Sequence, residues 1–178
     1  MLLGGATALL PAYARDILEV GPWGLGLLRS APGVGAIAMV LVLAFRPVRD
    51  HAGRIMFTAV AIFGLFTIVF GASNLVWLSV IALAVMGAAD MISVYVRETL
   101  IQLWTPDEVR GRVSAVNMLF VGASNEVGEF RAGTVGALIG VVPAVVLGGV
   151  GTVLVAALWA RWFPHLRNAR HLDAPRPD

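Results

Sequence analysis

Five ionisable residues lie inside long apolar segments of the sequence: Arg29, Asp90, Glu126, Glu129 and Arg131. Charged groups at membrane depth are costly, and they often belong to proton or substrate pathways. At about 1.5 Å per residue, Asp90 and Glu126 lie roughly 20 Å from the outer ends of their predicted helices. That depth is at or past the middle of a hydrocarbon core about 30 Å thick, where a carboxyl group can exchange a proton or hold a substrate.

Further polar residues accompany Glu126 on its predicted helix. Glu126 and Glu129 are three residues apart and share a helix face, and Asn125 joins Glu129 at a spacing of four. Asn117 adds a polar group about two turns earlier on the same helix. We therefore predict a substrate or proton pathway formed by Asp90, Asn117, Asn125 and Glu126.

The two intramembrane arginines allow a structural interpretation of the same charges. Arg29 can pair with Glu129 across helices, and Arg131 lies at a similar depth to Arg29. A pair of this kind would fix helix packing, and we predict a structural set of Arg29, Glu129 and Arg131. For Asp90 we favour the pathway, because Arg97 is its only charged neighbour within seven residues.

The elements that must hold these groups are transmembrane helices. Of the 178 residues, 58% are hydrophobic and 13% are charged, whereas a soluble domain is about 25% charged. Because a soluble fold could not cover so much apolar surface, we expect lipid as the solvent. The apolar segments predict an all-α fold with six spans at about residues 2–18, 22–45, 55–72, 75–96, 113–140 and 143–160.

The six spans form one predicted domain, residues 1–163, followed by a tail over residues 164–178 that we expect to be disordered. The first span is short and reads as a helix whose beginning is missing. One side of the spans carries almost all the loop arginines: Arg46, Arg49, Arg54, Arg97, Arg110, Arg112, Arg161, Arg167, Arg170 and Arg176. This asymmetry predicts a multi-pass protein of the inner (plasma) membrane with a cytoplasmic C-terminus.

Patterns typical of other functions are missing from the sequence. It has no cysteine, no paired histidines at metal-ligand spacing, no phosphate-binding loop and no nucleophile beside a base. We therefore expect no enzyme activity, no cofactor and no metal. Because its arginines are scattered, a nucleic-acid partner is not expected either.

A short charged loop joins the second and third predicted spans. Within it, Asp50-His51-Ala52-Gly53-Arg54 resembles the Asp-Arg-x-Gly-Arg motif that major facilitator transporters carry between paired helices, with His51 in place of the usual arginine. The resemblance implies a cytoplasmic gate loop formed by Arg49, Asp50, Gly53 and Arg54. The alternative is a loop that only sets the topology.

Two further stretches, residues 98–117 and 122–130, resemble the enterobactin-exporter-like branch of that superfamily. The likeness covers essentially the whole chain and aligns it with the last six of twelve helices. In that branch an acidic and a small residue follow the Glu-Phe pair, whereas here Arg131 and Ala132 follow Glu129 and Phe130. The resemblance implies that the span with Asp90 lines a cavity, while the second and fifth spans face another lobe.

The resemblance therefore implies the C-terminal half of a secondary active transporter. Its expected activity is proton-coupled export of a small amphipathic or siderophore-like compound. Its expected partners are the lipid bilayer, a small-molecule substrate, and a missing N-terminal six-helix half or a second copy. The alternative is a truncated, non-transporting membrane protein or a partner subunit.

Overall fold

The described part of the chain is helical. The computed structural model describes residues 5–48 and 51–162, with side chains from Thr7 onward. Its helices are α1 (Gly5–Ala8), α2 (Leu10–Asp16), α3 (Pro22–Phe45), α4 (Ala52–Ala72), α5 (Val76–Trp104), α6 (Asp107–Ile139) and α7 (Val141–Trp162). Within these ranges there is no strand. The expected all-helical class is confirmed.

Four of these helices, α3, α4, α5 and α7, are long and apolar enough to cross a membrane. The two remaining predicted spans correspond to the short pair α1 and α2 and to α6. With 33 residues, α6 is about 50 Å long at about 1.5 Å per residue, which exceeds the membrane core. It is also the most polar long helix, because it includes Asp107, Glu108, Glu126, Glu129 and Arg131.

A glycine separates α6 from α7. Gly140 has a φ of 94°, a backbone conformation that costs glycine little and other residues much more. The charge-free run from Ala132 to Ala160 is therefore divided into two helices at Gly140, where the predicted span 113–140 ends. Pro143 follows in the first turn of α7, where a missing N–H leaves no helical hydrogen bond unmade.

Two glycine contacts bring pairs of long helices close together. A Cβ added at Gly35 of α3 would collide with the Ala84 carbonyl oxygen of α5, and one at Gly87 of α5 would collide with the Pro32 carbonyl oxygen of α3. Helices in lipid pack closely through such small residues, since backbone can then approach backbone. This contact holds α5, and with it Asp90, against α3.

The short helix α2 is fixed by one buried side chain. Tyr13 has no solvent exposure, and its hydroxyl lies 2.7 Å from the Phe70 carbonyl oxygen and 2.6 Å from that of Ser73. The ring also packs on Phe70 with 4.5 Å between ring centroids. Because the last carbonyls of a helix have no partner within the helix, Tyr13 both caps α4 and anchors α2.

Helix α6 packs differently from the other long helices. Gly128 and Ala132 are its only buried residues, and it contacts α1 and α7 more than α5. Large apolar side chains on α6, including Met118, Leu119 and Phe130, are more than 70% exposed. One side of the helical bundle is therefore left open along α6.

Candidate functional site

A cavity of about 260 Å³ lies between α5 and α6, where α1, α3 and α4 also reach its wall. Asp90 and Arg97 of α5 line it, together with Asn125 and Glu129 of α6 and Thr7 of α1. The structure thus brings Asp90 and Asn125, two of the four predicted pathway residues, to one cavity. Their role in a pathway stays a prediction.

The α5 wall of the cavity is a single stripe of the helix. Leu83, Met86, Asp90, Val94 and Arg97 all line the cavity, and their spacings of three, four, four and three residues place them on one face. The apolar members make this wall suitable for a nonpolar group, and the two ionisable members lie about two turns apart. This face of α5 therefore carries both apolar and ionisable side chains.

The α6 wall repeats at every fourth residue. Val121, Asn125 and Glu129 line the cavity, so they form one face of α6 directed at α5. Glu126 does not line the cavity, and its side chain is exposed. Of the two neighbouring carboxylates, Glu129 and not Glu126 therefore faces Asp90 across the cavity.

The guanidinium group of Arg97 lies at the wall with unused hydrogen-bonding capacity. Its Nε is buried and has no hydrogen-bond partner, and the Glu98 Oε1 lies 3.6 Å away. A buried donor without an acceptor is unfavourable, so Arg97 is suited to bind an acceptor that enters the cavity. The cavity thus combines two carboxyl groups with one cation.

Asn117, a third predicted pathway residue, has a different position. Its Nδ2 donates a 2.9 Å hydrogen bond to Glu98 Oε1, and it is not part of the cavity wall. This bond ties α6 to α5 at the residue next to Arg97, about one helical turn before Val121, the first cavity residue of α6. Asn117 therefore positions the two walls relative to each other.

The predicted structural pair of Arg29 and Glu129 is not formed. Among the described residues, the ion pairs are Arg15–Asp16, Arg97–Glu98 and Arg110–Asp107. Arg29 is exposed on α3, and α3 packs on α5 while α6 packs on α1 and α7, which keeps the two charges apart.

Arg131 has a position of its own. Its Nη2 lies 4.0 Å from where a Cβ on Gly148 would be, so the side chain is directed at α7 rather than toward Arg29. Its Nε is buried and has no hydrogen-bond partner.

The predicted gate loop is described only in part. Arg49 and Asp50 lie outside the described residues, whereas Gly53 is buried and Arg54 is exposed in the first turn of α4. His51 precedes α4 in the left-handed region with a φ of 57°. The gate function of these residues stays a prediction.

Arg97 was missed as a cavity residue by sequence reasoning. The sequence predicts a span that ends at Val96 and places Arg97 in a loop, whereas α5 continues to Trp104. A usable signal was present, since Asp90 and Arg97 are seven residues apart and therefore share a face. Within residues 5–48 and 51–162, no three His, Asp or Glu side chains come together to hold a metal ion.

Comparison with known families identifies the class of protein. Residues 4–175 match the model of the family described as transmembrane secretion effector, which belongs to the major facilitator type. No match was found among curated proteins or among solved structures. The placement in the enterobactin-exporter branch and in a C-terminal half stays a prediction. Since the match extends over nearly all of its 178 residues, the chain belongs to the transmembrane secretion effector family and is a multi-pass membrane transporter of the major facilitator type.

Proposed function

We propose that this chain forms one lobe of a proton-coupled exporter and that the cavity between α5 and α6 belongs to its transport pathway. The observation that supports the proposal is the meeting of Asp90, Arg97, Asn125 and Glu129 around one cavity. Ionisable groups at membrane depth are retained at a high energetic cost, and pathways for ions and substrates are where they are used.

Asp90 is the proposed proton-binding group. It lies in the interior of α5, a helix apolar enough to span a membrane, and its carboxyl group has no hydrogen-bond or ion-pair partner among the described residues. A carboxylate without a fixed partner can change its protonation with little rearrangement. A change in the charge of Asp90 would alter the electrostatic energy of Glu129 and Arg97, which line the same cavity.

The proposed substrate is small and amphipathic. Phe63, Leu83, Met86 and Val121 give the cavity apolar walls, while Asp90, Arg97 and Glu129 add charged groups to the same walls. Ligand sites commonly combine an apolar lining with a few polar groups that fix orientation. A siderophore-like compound, with an apolar ring and oxygen donors or acceptors, has this chemistry.

We further propose that a second lobe covers α3 and α6, so that six spans from each lobe enclose the pathway. Exposed carboxyl groups at Glu126 and Glu129 would be unfavourable against lipid, and a facing lobe would shield them. The second lobe can come from the same polypeptide or from a second copy. For this chain, the arginine asymmetry supports a topology with the C-terminus in the cytoplasm.

The test is transport by reconstituted protein under an imposed proton gradient, with a panel of fluorescent amphipathic compounds and catecholates as probes. Asp90→Asn is expected to abolish gradient-driven transport, because an amide cannot bind and release a proton as a carboxyl group does. Glu108→Gln is the matched control, since Glu108 is exposed in the first turn of α6 and outside the cavity.

Equal transport by Asp90→Asn and the control would overturn the proton-binding role. A chain that transports no probe in either form, yet copurifies with another membrane protein, would favour the alternative of a non-transporting partner subunit.

A further inference from the structure

A second open space lies between α4 and α7. It has a volume of about 590 Å³ and is lined by residues of these two helices alone. We name it the α4–α7 groove. It shares no residue with the cavity around Asp90, so it needs an explanation separate from the transport pathway.

The groove follows from how the two helices cross. A Cβ added at Gly64 of α4 would lie 3.0 Å from the Gly149 carbonyl oxygen of α7, so the backbones touch there. Gly71 lies against Val145, and the helices therefore run antiparallel. Straight helices that touch at one point diverge away from it. They diverge toward the end that carries Arg54, and the groove opens between them.

The groove has one charged end and an apolar floor. On α4 it is lined by Arg54, Phe57, Thr58 and Ala61, and on α7 by a stripe within Val153–Ala160 that contains three alanines. Both sets have the spacing of one helix face over two turns, or about 10 Å along the axis. The floor is thus narrow and mostly apolar, and its length of about 10 Å can accommodate a segment of a lipid acyl chain.

The charged end lies at the level of the membrane surface. Arg54 is exposed in the first turn of α4 and makes no hydrogen bond or ion pair with the described residues. Trp162, which ends α7 at the same end of the groove, is 67% exposed, and tryptophan is enriched where lipid headgroups begin. Arg54 is therefore placed where a phosphate would be.

We propose that the α4–α7 groove binds one anionic glycerophospholipid, with its phosphate on Arg54 and an acyl chain along the alanines of α7. Charge complementarity selects the headgroup, because a guanidinium forms strong charge-assisted hydrogen bonds to phosphate oxygens. The floor selects the chain, because apart from the Thr58 hydroxyl its lining side chains are apolar. The proposal does not depend on the transport role of Asp90.

The test is native mass spectrometry of the full chain in detergent, after lipid removal and titration with phosphatidylglycerol. Arg54→Gln is expected to weaken binding of the first lipid about tenfold, as the loss of one charge-assisted contact to phosphate implies. Arg54→Lys should keep part of the affinity. Arg161→Gln is the matched control: Arg161 lies at the same end of α7, is exposed, and does not line the groove.

A second variant tests the apolar floor separately. Ala157 lines the groove and is exposed, so Ala157→Phe fills the floor without changing the core and should also weaken lipid binding. Circular dichroism of each variant then checks that its helix content is unchanged.

Any of four results would overturn the proposal. The first is an equal loss in Arg54→Gln and Arg161→Gln, which would mean a general surface charge effect. The second is equal binding of phosphatidylcholine, and the third is undiminished binding by Ala157→Phe. The fourth is displacement of the lipid by inorganic phosphate at equal concentration, which would identify a site for the free anion.

Discussion

Tyr13 makes contacts at the residue scale that hold the outer part of the bundle together. Its hydroxyl lies within 3.2 Å of the Phe70, Gly71 and Ser73 carbonyl oxygens, and Ser79 donates to the Ser73 hydroxyl at 3.2 Å. Its one hydroxyl hydrogen lies among three carbonyl oxygens at the C-terminal end of α4, where the helix supplies few backbone donors. We expect Tyr13→Phe to destabilise the protein by roughly 1 kcal/mol and to lower its thermal unfolding midpoint in detergent.

The chain supplies its own control for this measurement. Tyr95 is the second of its two tyrosines, and its hydroxyl has no hydrogen bond to the described residues. Tyr95→Phe should change the free energy of unfolding by less than about 0.5 kcal/mol. Equal midpoints for both variants would show that the Tyr13 hydroxyl contributes no net stability.

The positions of some single residues can be predicted from the sequence, whereas those of others cannot. The depth of Asp90 follows from counting residues along an apolar segment, and the spacing of Asn125 and Glu129 follows from helix geometry. The bonds of Tyr13 could not be predicted, because its acceptors are backbone atoms about 60 residues away whose position depends on tertiary packing. Which of two neighbouring carboxylates faces the cavity also depends on the rotation of α6, which a short polar pattern does not define.

At the scale of elements, the glycine contact between α3 and α5 determines where Asp90 lies. Asp90 follows Gly87 by three residues, less than one helical turn. A Cβ at Gly87 would collide with the Pro32 carbonyl oxygen, which is backbone and cannot rotate away. Gly87→Ala should therefore force the helices apart, destabilise the fold by about 1–3 kcal/mol and lower proton-coupled transport.

The control for Gly87→Ala is Gly26→Ala in α3. No atom lies within 4 Å of a Cβ added at Gly26, and alanine is favoured over glycine within a helix. Thermal unfolding and transport of this variant should match or exceed those of the unchanged protein. If Gly87→Ala behaves in the same way, the close contact is not needed for the position of Asp90.

Helix ends were harder to predict than helices. The existence of the spanning helices could be predicted from apolar runs in the sequence, because a helix that crosses lipid requires such a run. The polar ends of α5 and α6 have no such signal: Arg97 to Trp104 and Asp107 to Arg112 are helical in the structure although their composition resembles a loop. The break between α6 and α7 was predictable because glycine and proline occur together at residues 140 and 143.

At the scale of the whole molecule, the open side along α6 yields the most direct test of a second lobe. The chain has no cysteine, so single cysteines can carry a spin label at chosen positions. Leu119 of α6 is 73% exposed and Leu154 of α7 is 56% exposed. Both lie about 9 Å from those ends of their predicted spans that the arginine asymmetry predicts to be cytoplasmic, which matches their expected depth.

We expect the label at Leu119→Cys to be severalfold less accessible to dissolved oxygen than the label at Leu154→Cys, because a facing lobe excludes lipid from α6 while α7 borders the bilayer. The measurement is electron paramagnetic resonance power saturation in polymer-bounded nanodiscs taken directly from the membrane, which keep any partner bound. Equal oxygen accessibility at the two positions would mean that lipid covers α6. Glu126 and Glu129 would then border hydrocarbon, and the proposed two-lobed transporter would be wrong at its central interface.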